Sequence, residues 1–132
     1  MATSAGTALT VAAGVSWLRT GLGSVMLGRP TLMPRVLGMD SATAARTAWL
    51  VRMVGAREIA LGAGGLDAAR RGTDLRPWLL AAAVADAGDT AALLGAVRRG
   101  RVGTLIGLLV VASATAGALA EVAAARSLGA GR

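Results

Sequence analysis

The chain has 132 residues, a length typical of one domain, and we predict a single domain over 1–132. Hydrophobic residues make up 55% of it and the mean hydropathy is +0.62, above that of a typical soluble domain. The absence of cysteine and histidine excludes disulfides, thiolate chemistry and the usual ligands of zinc, copper and haem. The net charge is +7, but the only aromatic residues are three Trp, so the composition does not favour nucleic-acid binding.

Four apolar segments follow one another along the chain, at 5–28, 42–69, 75–97 and 102–128. Each is long enough to cross a hydrocarbon core, which takes about 20 helical residues. The arginines cluster between the segments, as basic residues do at the ends of membrane spans. We therefore predict an all-α fold, a four-helix transmembrane bundle with up-down topology that is embedded in a lipid bilayer.

The first segment lacks a basic start and is interrupted by Arg19, which indicates a retained span rather than a signal peptide. The loop after it mixes Leu32, Met33 and Val36 with Pro and Arg. Such a loop is either a short interfacial helix or an irregular segment with some apolar contacts. Asp40 is predicted to cap the second long helix.

Short turns separate the later segments, so the second, third and fourth long helices are predicted to be antiparallel neighbours. Asp74 is the predicted cap of the third helix, and Gly129 the predicted end of the fourth. The fourth segment also carries small residues at a spacing that suits tight helix packing, either inside the monomer or in a homodimer. The arginines are nearly equal in number on the two sides, so the sequence does not predict an orientation.

Charged residues interrupt these apolar segments. Because a helix rises 1.5 Å per residue, depths counted from the flanking arginines place five charges near the middle of a core about 30 Å thick and a sixth, Arg52, at a shallower level. Three are basic and three acidic, so they cancel, and pairing inside the bundle avoids a cost of at least about 2.5–3.5 kcal/mol for each unpaired charge. The six are Arg19, Arg52, Arg57, Glu58, Asp86 and Asp89.

The helical period adds detail to this cluster. Gly55 and Gly62 share one side of their helix with Glu58, and glycines there allow another helix to approach closely. Asp86 and Asp89 share a face, and two acids this close repel unless a cation lies between them or one is protonated. A further acid, Glu121, lies five residues before Arg126 and is predicted to be nearer a membrane surface.

The stretch Gly55-Ala-Arg57-Glu58-Ile-Ala-Leu61-Gly62, together with Asp86 and Asp89, resembles a family of small bacterial membrane proteins of unknown function. These proteins have four helices and a recurring G-x-R-E-x-x-L-G pattern. The resemblance implies a multi-pass protein of the bacterial cytoplasmic membrane, with Arg57 and Glu58 as the residues of interest. It implies no activity.

The first functional hypothesis is an enzyme that acts on a lipophilic small molecule such as a terpenoid or polyketide. Epoxide opening, cyclisation or isomerisation needs an acid and a base, and carboxyl groups in apolar surroundings can retain a proton and donate it. No cofactor is predicted, although Asp86-x-x-Asp89 could ligate Mg²⁺ with a prenyl diphosphate. The predicted catalytic residues are Glu58, Asp86 and Asp89, and the predicted substrate-binding or charge-pairing residues are Arg19, Arg52, Arg57, Trp49 and Thr90.

The second hypothesis is a non-catalytic membrane module, either an accessory subunit or a protein that binds a small solute or proton. Its buried ion pairs would only fix the helices. A cavity that reaches the acids favours the enzyme, whereas a dry, fully paired cluster favours the module. A soluble bundle is a third reading, but Val102–Ala120 carries no charge and so lacks the polar face of a soluble helix.

Overall fold

The computed structural model describes residues 2–130, and this range forms four long helices and one short helix. The all-α prediction is confirmed. The four long helices overlap the four predicted segments, and the short helix lies in the loop predicted to hold either a short helix or an irregular segment. In chain order the helices are α1 (Ala2–Gly28), α2 (Leu32–Val36), α3 (Ser41–Arg71), α4 (Arg76–Arg98) and α5 (Thr104–Ala130).

The ends of α3 follow from its sequence. Asp40 is the N-cap residue, and its Oδ1 accepts hydrogen bonds from the backbone N–H groups of Ala42 and Thr43, both at 2.9 Å. These bonds satisfy donors that have no partner inside the helix. Gly72 ends α3 in the left-handed conformation, at φ +64°, which a residue with a Cβ atom rarely adopts. The predicted cap at Asp40 is therefore confirmed.

Two other helix ends differ from the prediction. The N-cap residue of α4 is Leu75, one residue after the predicted Asp74, whose Oδ1 instead accepts a hydrogen bond from the Arg76 N–H at 3.1 Å. Helix α5 passes Gly129 and continues to Ala130. The φ angle of Gly129 is not in the left-handed region, so Gly129 does not end α5 as Gly72 ends α3.

The Asp40 cap should make stability depend on pH. Hydrogen bonds from the backbone N–H and the hydroxyl of Thr43 lower the pKa of Asp40. The cap therefore stabilises the fold above the unfolded-state pKa and is lost as pH falls through the lowered folded-state pKa. We expect Asp40→Ala to lower the melting temperature in detergent at neutral pH, with a difference from wild type that shrinks in acid. Asp40→Asn keeps a capping oxygen, so it should retain most of the stability without this pH dependence.

Consecutive long helices run antiparallel, and they form two closely packed pairs. Helix α1 packs along α3, and α4 packs along α5. The contact of α1 with α5 joins the two pairs, whereas α3 and α4 pack on each other over a much smaller area. The side of the bundle between α3 and α4 is therefore the least tightly closed.

Small residues bring α1 and α3 together. A Cβ atom added at Gly23 would lie 2.5 Å from the carbonyl oxygen of Gly55, and one added at Gly62 would lie 2.6 Å from that of Ser16. Both distances are far below any real contact, so only glycine fits at these positions. The close approach predicted at Gly55 and Gly62 is present, and α1 is the helix that approaches.

The distribution of side chains is the reverse of that in a soluble protein. The buried hydrophobic residues are mainly alanines, and the largest fully buried side chain is that of Glu121. Large apolar side chains instead point outward, as at Val84 with 73% exposure and Leu105 with 71%. Large exposed apolar patches are typical of surfaces that contact protein or lipid.

Two of the described helices, Arg76–Arg98 and Thr104–Gly129, are long and apolar enough to cross a membrane, by length and composition. Within residues 2–130, α1 and α3 fall outside this measure. Both carry charges in their central turns. Arg19 and Glu58 are buried inside the bundle, whereas Arg52 is exposed.

Candidate functional site

Arg19 lies at the centre of the bundle and is 6% exposed. Its Nη1 pairs with Glu58 Oε2 on α3, and its Nη2 lies 2.7 Å from Asp86 Oδ2 on α4. Its Nε donates to Glu121 Oε1 on α5 at 2.9 Å, and its Nη2 also donates to the Ala82 carbonyl at 3.4 Å. A single guanidinium from α1 is thus bound to all three of the other long helices.

A second arginine continues the network. Arg57 donates from Nη1 and Nη2 to the two oxygens of Asp89, at 3.1 and 2.5 Å. Its Nε and Nη2 also donate to Glu58 Oε1, at 3.2 and 3.0 Å. Glu58 therefore binds one arginine with each of its oxygens. We call the connected set the Arg19 cluster, and its members are Arg19, Arg57, Glu58, Asp86, Asp89 and Glu121.

Exposure changes across the cluster. Glu121 is 1% exposed, whereas the side chains of Arg57 and Asp89 are 35% and 46% exposed. The accessible pair bridges α3 and α4, the consecutive long helices that contact each other least. The cluster is thus enclosed at α1 and α5 and accessible between α3 and α4.

Five of the predicted site residues belong to the cluster: Arg19, Arg57, Glu58, Asp86 and Asp89. Two others lie apart from it. Arg52 and Trp49 are exposed, and Arg52 forms no ion pair in the part of the chain that the structure describes.

The sequence prediction missed Glu121. The prediction counted its depth from Arg126 and so set it apart from the other charges, but α5 continues to Ala130, nine residues or about 14 Å beyond Glu121. Glu121 Oε1 instead contacts Arg19 at 2.8 Å, so Glu121 lies at the level of the cluster, and its side chain is buried. The signal available in the sequence was its place as the first charge after the long apolar run 102–120.

Two buried polar atoms in this region have no hydrogen-bond partner within residues 2–130, Thr90 Oγ1 and Glu121 Oε2. Thr90 is one helical turn beyond Asp86 on α4, as predicted from the spacing. A buried hydroxyl or carboxylate oxygen without a partner is uncommon in folded proteins and indicates a bound water, a proton or a functional role.

The two described cavities lie away from the cluster. One, of about 180 Å³, is lined by residues from the end of α1 and from α2, including Met26 and Met33. The other, of about 270 Å³, lies at the opposite end of the bundle, near Thr73 and Leu128. Neither is lined by a member of the Arg19 cluster.

The acids of the cluster are bound to guanidinium groups. Asp86 and Asp89, the pair considered for Mg²⁺, contact Arg19 and Arg57 respectively. Among residues 2–130, no three acidic side chains are grouped so that they could hold a metal ion. A divalent cation would have to compete with the arginines for these oxygens.

The fold and the site together define an all-α bundle with an enclosed arginine–carboxylate network that draws on all four long helices. No protein-family model, curated protein sequence or solved structure matches the chain. The functional argument therefore rests on the geometry of the Arg19 cluster.

Proposed function

We propose that the chain is a multi-pass membrane protein in which all four long helices cross the bilayer. The distribution of side chains supports this, since apolar residues such as Val84 and Leu105 face outward while Arg19, Glu58 and Glu121 are buried. These three charges are thus kept away from lipid.

Arg52 on α3 is exposed, but it lies only six residues, about 9 Å, from Arg46, so its long side chain can reach the headgroup region. The short arginine-rich loops suit the ends of membrane spans, and the resemblance of residues 55–62 to small bacterial membrane proteins favours the bacterial cytoplasmic membrane.

Accessibility of single cysteines tests the number of spans, because the natural chain has no cysteine. Single-cysteine variants at Ser41, Thr73 and Arg101 are labelled in oriented vesicles with a reagent that does not cross membranes. Four spans place Ser41 and Arg101 on one side and Thr73 on the other. If only α4 and α5 crossed, Ser41 and Thr73 would share a side opposite to Arg101, and the proposal would be wrong.

The function that this geometry supports best is acid/base chemistry on a lipophilic small molecule that reaches the cluster from the bilayer. The observation that carries it is the accessible Arg57–Asp89 pair between α3 and α4, with 35% and 46% of these side chains exposed. A molecule dissolved in lipid can contact both charged groups there without entering through an aqueous pore.

The residues of this edge have distinct roles in the proposal. Asp89 takes a proton from the substrate, and Arg57 holds the Asp89 carboxylate or a developing negative charge. Asp86, which lies deeper, delivers the proton that opens an epoxide or starts a cyclisation or isomerisation, and it receives this proton from the neighbouring Glu121 carboxyl group. Glu58, which binds both arginines, holds Arg57 beside Asp89. Arg19 holds Asp86 and Glu58 in position and does not contact the substrate.

A second candidate is a non-catalytic module in which the ion pairs only fix the helices. The observation that favours it is the nearly complete pairing around Arg19, combined with the position of both described cavities away from the cluster. Such a module would serve as a subunit or as a solute-binding or proton-binding protein. Ala112 and Ala116 on α5 are exposed and are the small residues that a second copy or another subunit would contact.

Thermal unfolding in detergent separates the two candidates. The variants are Asp89→Asn, Asp86→Asn and Glu58→Gln, and the exposed Asp67→Asn is the control. Residues kept for catalysis often contribute little to stability or reduce it, and the Asp89 side chain is 46% exposed, so Asp89→Asn should leave the melting temperature unchanged or higher. Large losses in all three variants would indicate a structural network and remove the support for catalysis.

Activity is then assayed with membranes that contain the protein and a panel of lipophilic epoxides and polyenes. Product analysis by mass spectrometry should show conversion by wild type and loss of conversion in Asp89→Asn. If wild-type membranes convert no member of the panel and Asp89→Asn is destabilised, the module becomes the better proposal.

A further inference from the structure

The charges of the Arg19 cluster do not balance. Two arginines face four carboxyl groups, so a fully ionised cluster carries 2 − 4 = −2. The imbalance is greatest at the enclosed side, where the single charge of Arg19 is shared among Glu58, Asp86 and Glu121. An uncompensated carboxylate in a low-dielectric interior is far more costly than a neutral carboxylic acid.

The geometry identifies which acid is least well compensated. Both Nε and Nη2 of Arg19 approach the same oxygen of Glu121, Oε1, at 2.9 and 2.8 Å. In a two-pronged arginine–carboxylate pair, the two nitrogens would bind one oxygen each. Here Glu121 Oε2 has no partner within residues 2–130, although the residue is 1% exposed.

A second carboxyl group is close to this one. Asp86 Oδ2 lies 2.7 Å from Arg19 Nη2, the nitrogen that is 2.8 Å from Glu121 Oε1, so these two oxygens are at most 5.5 Å apart (2.7 + 2.8). Two carboxylates at this separation repel each other, and a proton on one of them removes the repulsion.

The carboxylate charges of Glu58 and Asp89 are compensated by arginine. Glu58 binds Arg19 through Oε2 and Arg57 through Oε1, so both of its oxygens are compensated. Asp89 binds Arg57 through both oxygens, so the Arg57 guanidinium stabilises its charge directly. These contacts leave Glu121, with Asp86 as its neighbour, as the position at which a proton would remove an uncompensated charge.

We propose that the Arg19 cluster is a proton-binding site, in which the Glu121 carboxyl group holds one proton at neutral pH. Oε1 of the neutral acid accepts from Arg19, and the proton lies on the enclosed Oε2. The charge of the cluster then falls from −2 to −1, and the remaining excess lies toward the accessible Asp89. The charge count applies whether or not the cluster is catalytic, so the proton site can be present even if the proposed reaction is wrong.

Infrared difference spectroscopy tests the proposal on the intact protein in detergent. A protonated carboxylic acid has a carbonyl stretch well separated from carboxylate bands. We expect this band in wild type at neutral pH, its loss in Glu121→Gln, and its persistence in the exposed control Asp67→Asn. Absence of the band from wild type would overturn the proposal, and so would a band that Glu121→Gln leaves unchanged.

Thermal unfolding provides an independent readout, because glutamine has the shape of the neutral acid. Glu121→Gln should match or exceed the melting temperature of wild type at neutral pH, whereas Glu58→Gln should lower it markedly. At neutral pH the unfolded chain has an ionised Glu121, so wild type must take up a proton when it folds, and its stability falls as pH rises. Glu121→Gln needs no proton, so its advantage over wild type should increase as pH rises from acid to neutral. An equal loss of melting temperature in Glu121→Gln and Glu58→Gln would show that Glu121 is ionised.

Discussion

Replacing Arg19 with Met should lower the free energy of unfolding by about 3–5 kcal/mol, the range found when one partner of a buried salt bridge is removed. Arg19 contacts a carboxyl group on each of the other three long helices, and its own side chain is enclosed. Met has a similar length but no charge, so Asp86 and Glu121 would lose the cation that both contact. Glu58 would keep Arg57 as a partner.

The matched control for this prediction is Arg52→Met. Arg52 belongs to the central turns of α3, but it is exposed and lies outside the Arg19 cluster. The same chemical change there should leave the melting temperature in detergent nearly unchanged. Equal losses for Arg19→Met and Arg52→Met would contradict the role assigned to Arg19.

A third variant separates charge from geometry. Arg19→Lys keeps the positive charge, but a single ammonium group cannot reach three carboxyl groups on three helices as a planar guanidinium does. We expect it to recover only part of the stability that Arg19→Met loses. Full recovery would mean that charge alone, and not the three-helix geometry, holds the bundle together.

Much of the cluster could be predicted because helical rise is constant. Depth counting placed Arg19, Glu58, Asp86 and Asp89 at one level, and the structure brings these four side chains into one network through Arg19 and Arg57. Depth does not say which neighbour a side chain faces. Arg52 was counted among the pairing charges and lies on the same helix as Arg57 and Glu58, yet it points outward.

The charge balance could not be predicted, because it depended on two residues that the sequence misplaced. The sequence prediction included Arg52 in the paired set and left Glu121 outside it, so three positive and three negative charges cancelled. In the structure Arg52 lies outside the cluster and Glu121 lies inside it, so two arginines face four carboxyl groups. The error at Glu121 came from taking Arg126, a residue inside α5, as the mark of a membrane surface. A surface inferred from one charged residue shifts every depth counted from it.

For the packing of α1 on α3, the sequence predicted the contact surface of α3 but not that of α1. Gly55 and Gly62 of α3 were expected to receive another helix, and they do. The sequence did not identify α1 as that helix, because α1 contacts α3 through Ser16, Thr20 and Gly23, which form no strict glycine motif. Small polar residues and glycine have similar packing roles between membrane helices, so the pattern is weak in sequence.

Replacing Gly23 with Ala should destabilise the bundle by about 1–3 kcal/mol, the usual cost of overpacking. An added Cβ would lie 2.5 Å from the Gly55 carbonyl oxygen and 2.9 Å from the Ile59 backbone nitrogen. Both are backbone atoms of α3, so neither can move aside as a flexible side chain would, and α1 and α3 must separate.

Gly21→Ala is the matched control, on the same helix and two residues away. A Cβ atom there meets nothing within 4 Å, so only helix propensity changes, and alanine is favoured over glycine by roughly 0.8–1.0 kcal/mol. The two substitutions should therefore shift the melting temperature in detergent in opposite directions. Equal gains for both would show that α1 and α3 are farther apart than the structure has them.

The separation caused by Gly23→Ala should also reach the Arg19 cluster. Arg19 is one helical turn before Gly23, and Glu58 lies between Gly55 and Ile59, the residues against which Gly23 packs. Moving α1 from α3 therefore lengthens the Arg19–Glu58 ion pair. In a double-mutant cycle, Glu58→Gln should destabilise the Gly23→Ala protein less than it destabilises wild type. Strict additivity would mean that glycine packing and the ion pair stabilise the two helices independently, and the close approach of α1 and α3 would then not be what positions Arg19.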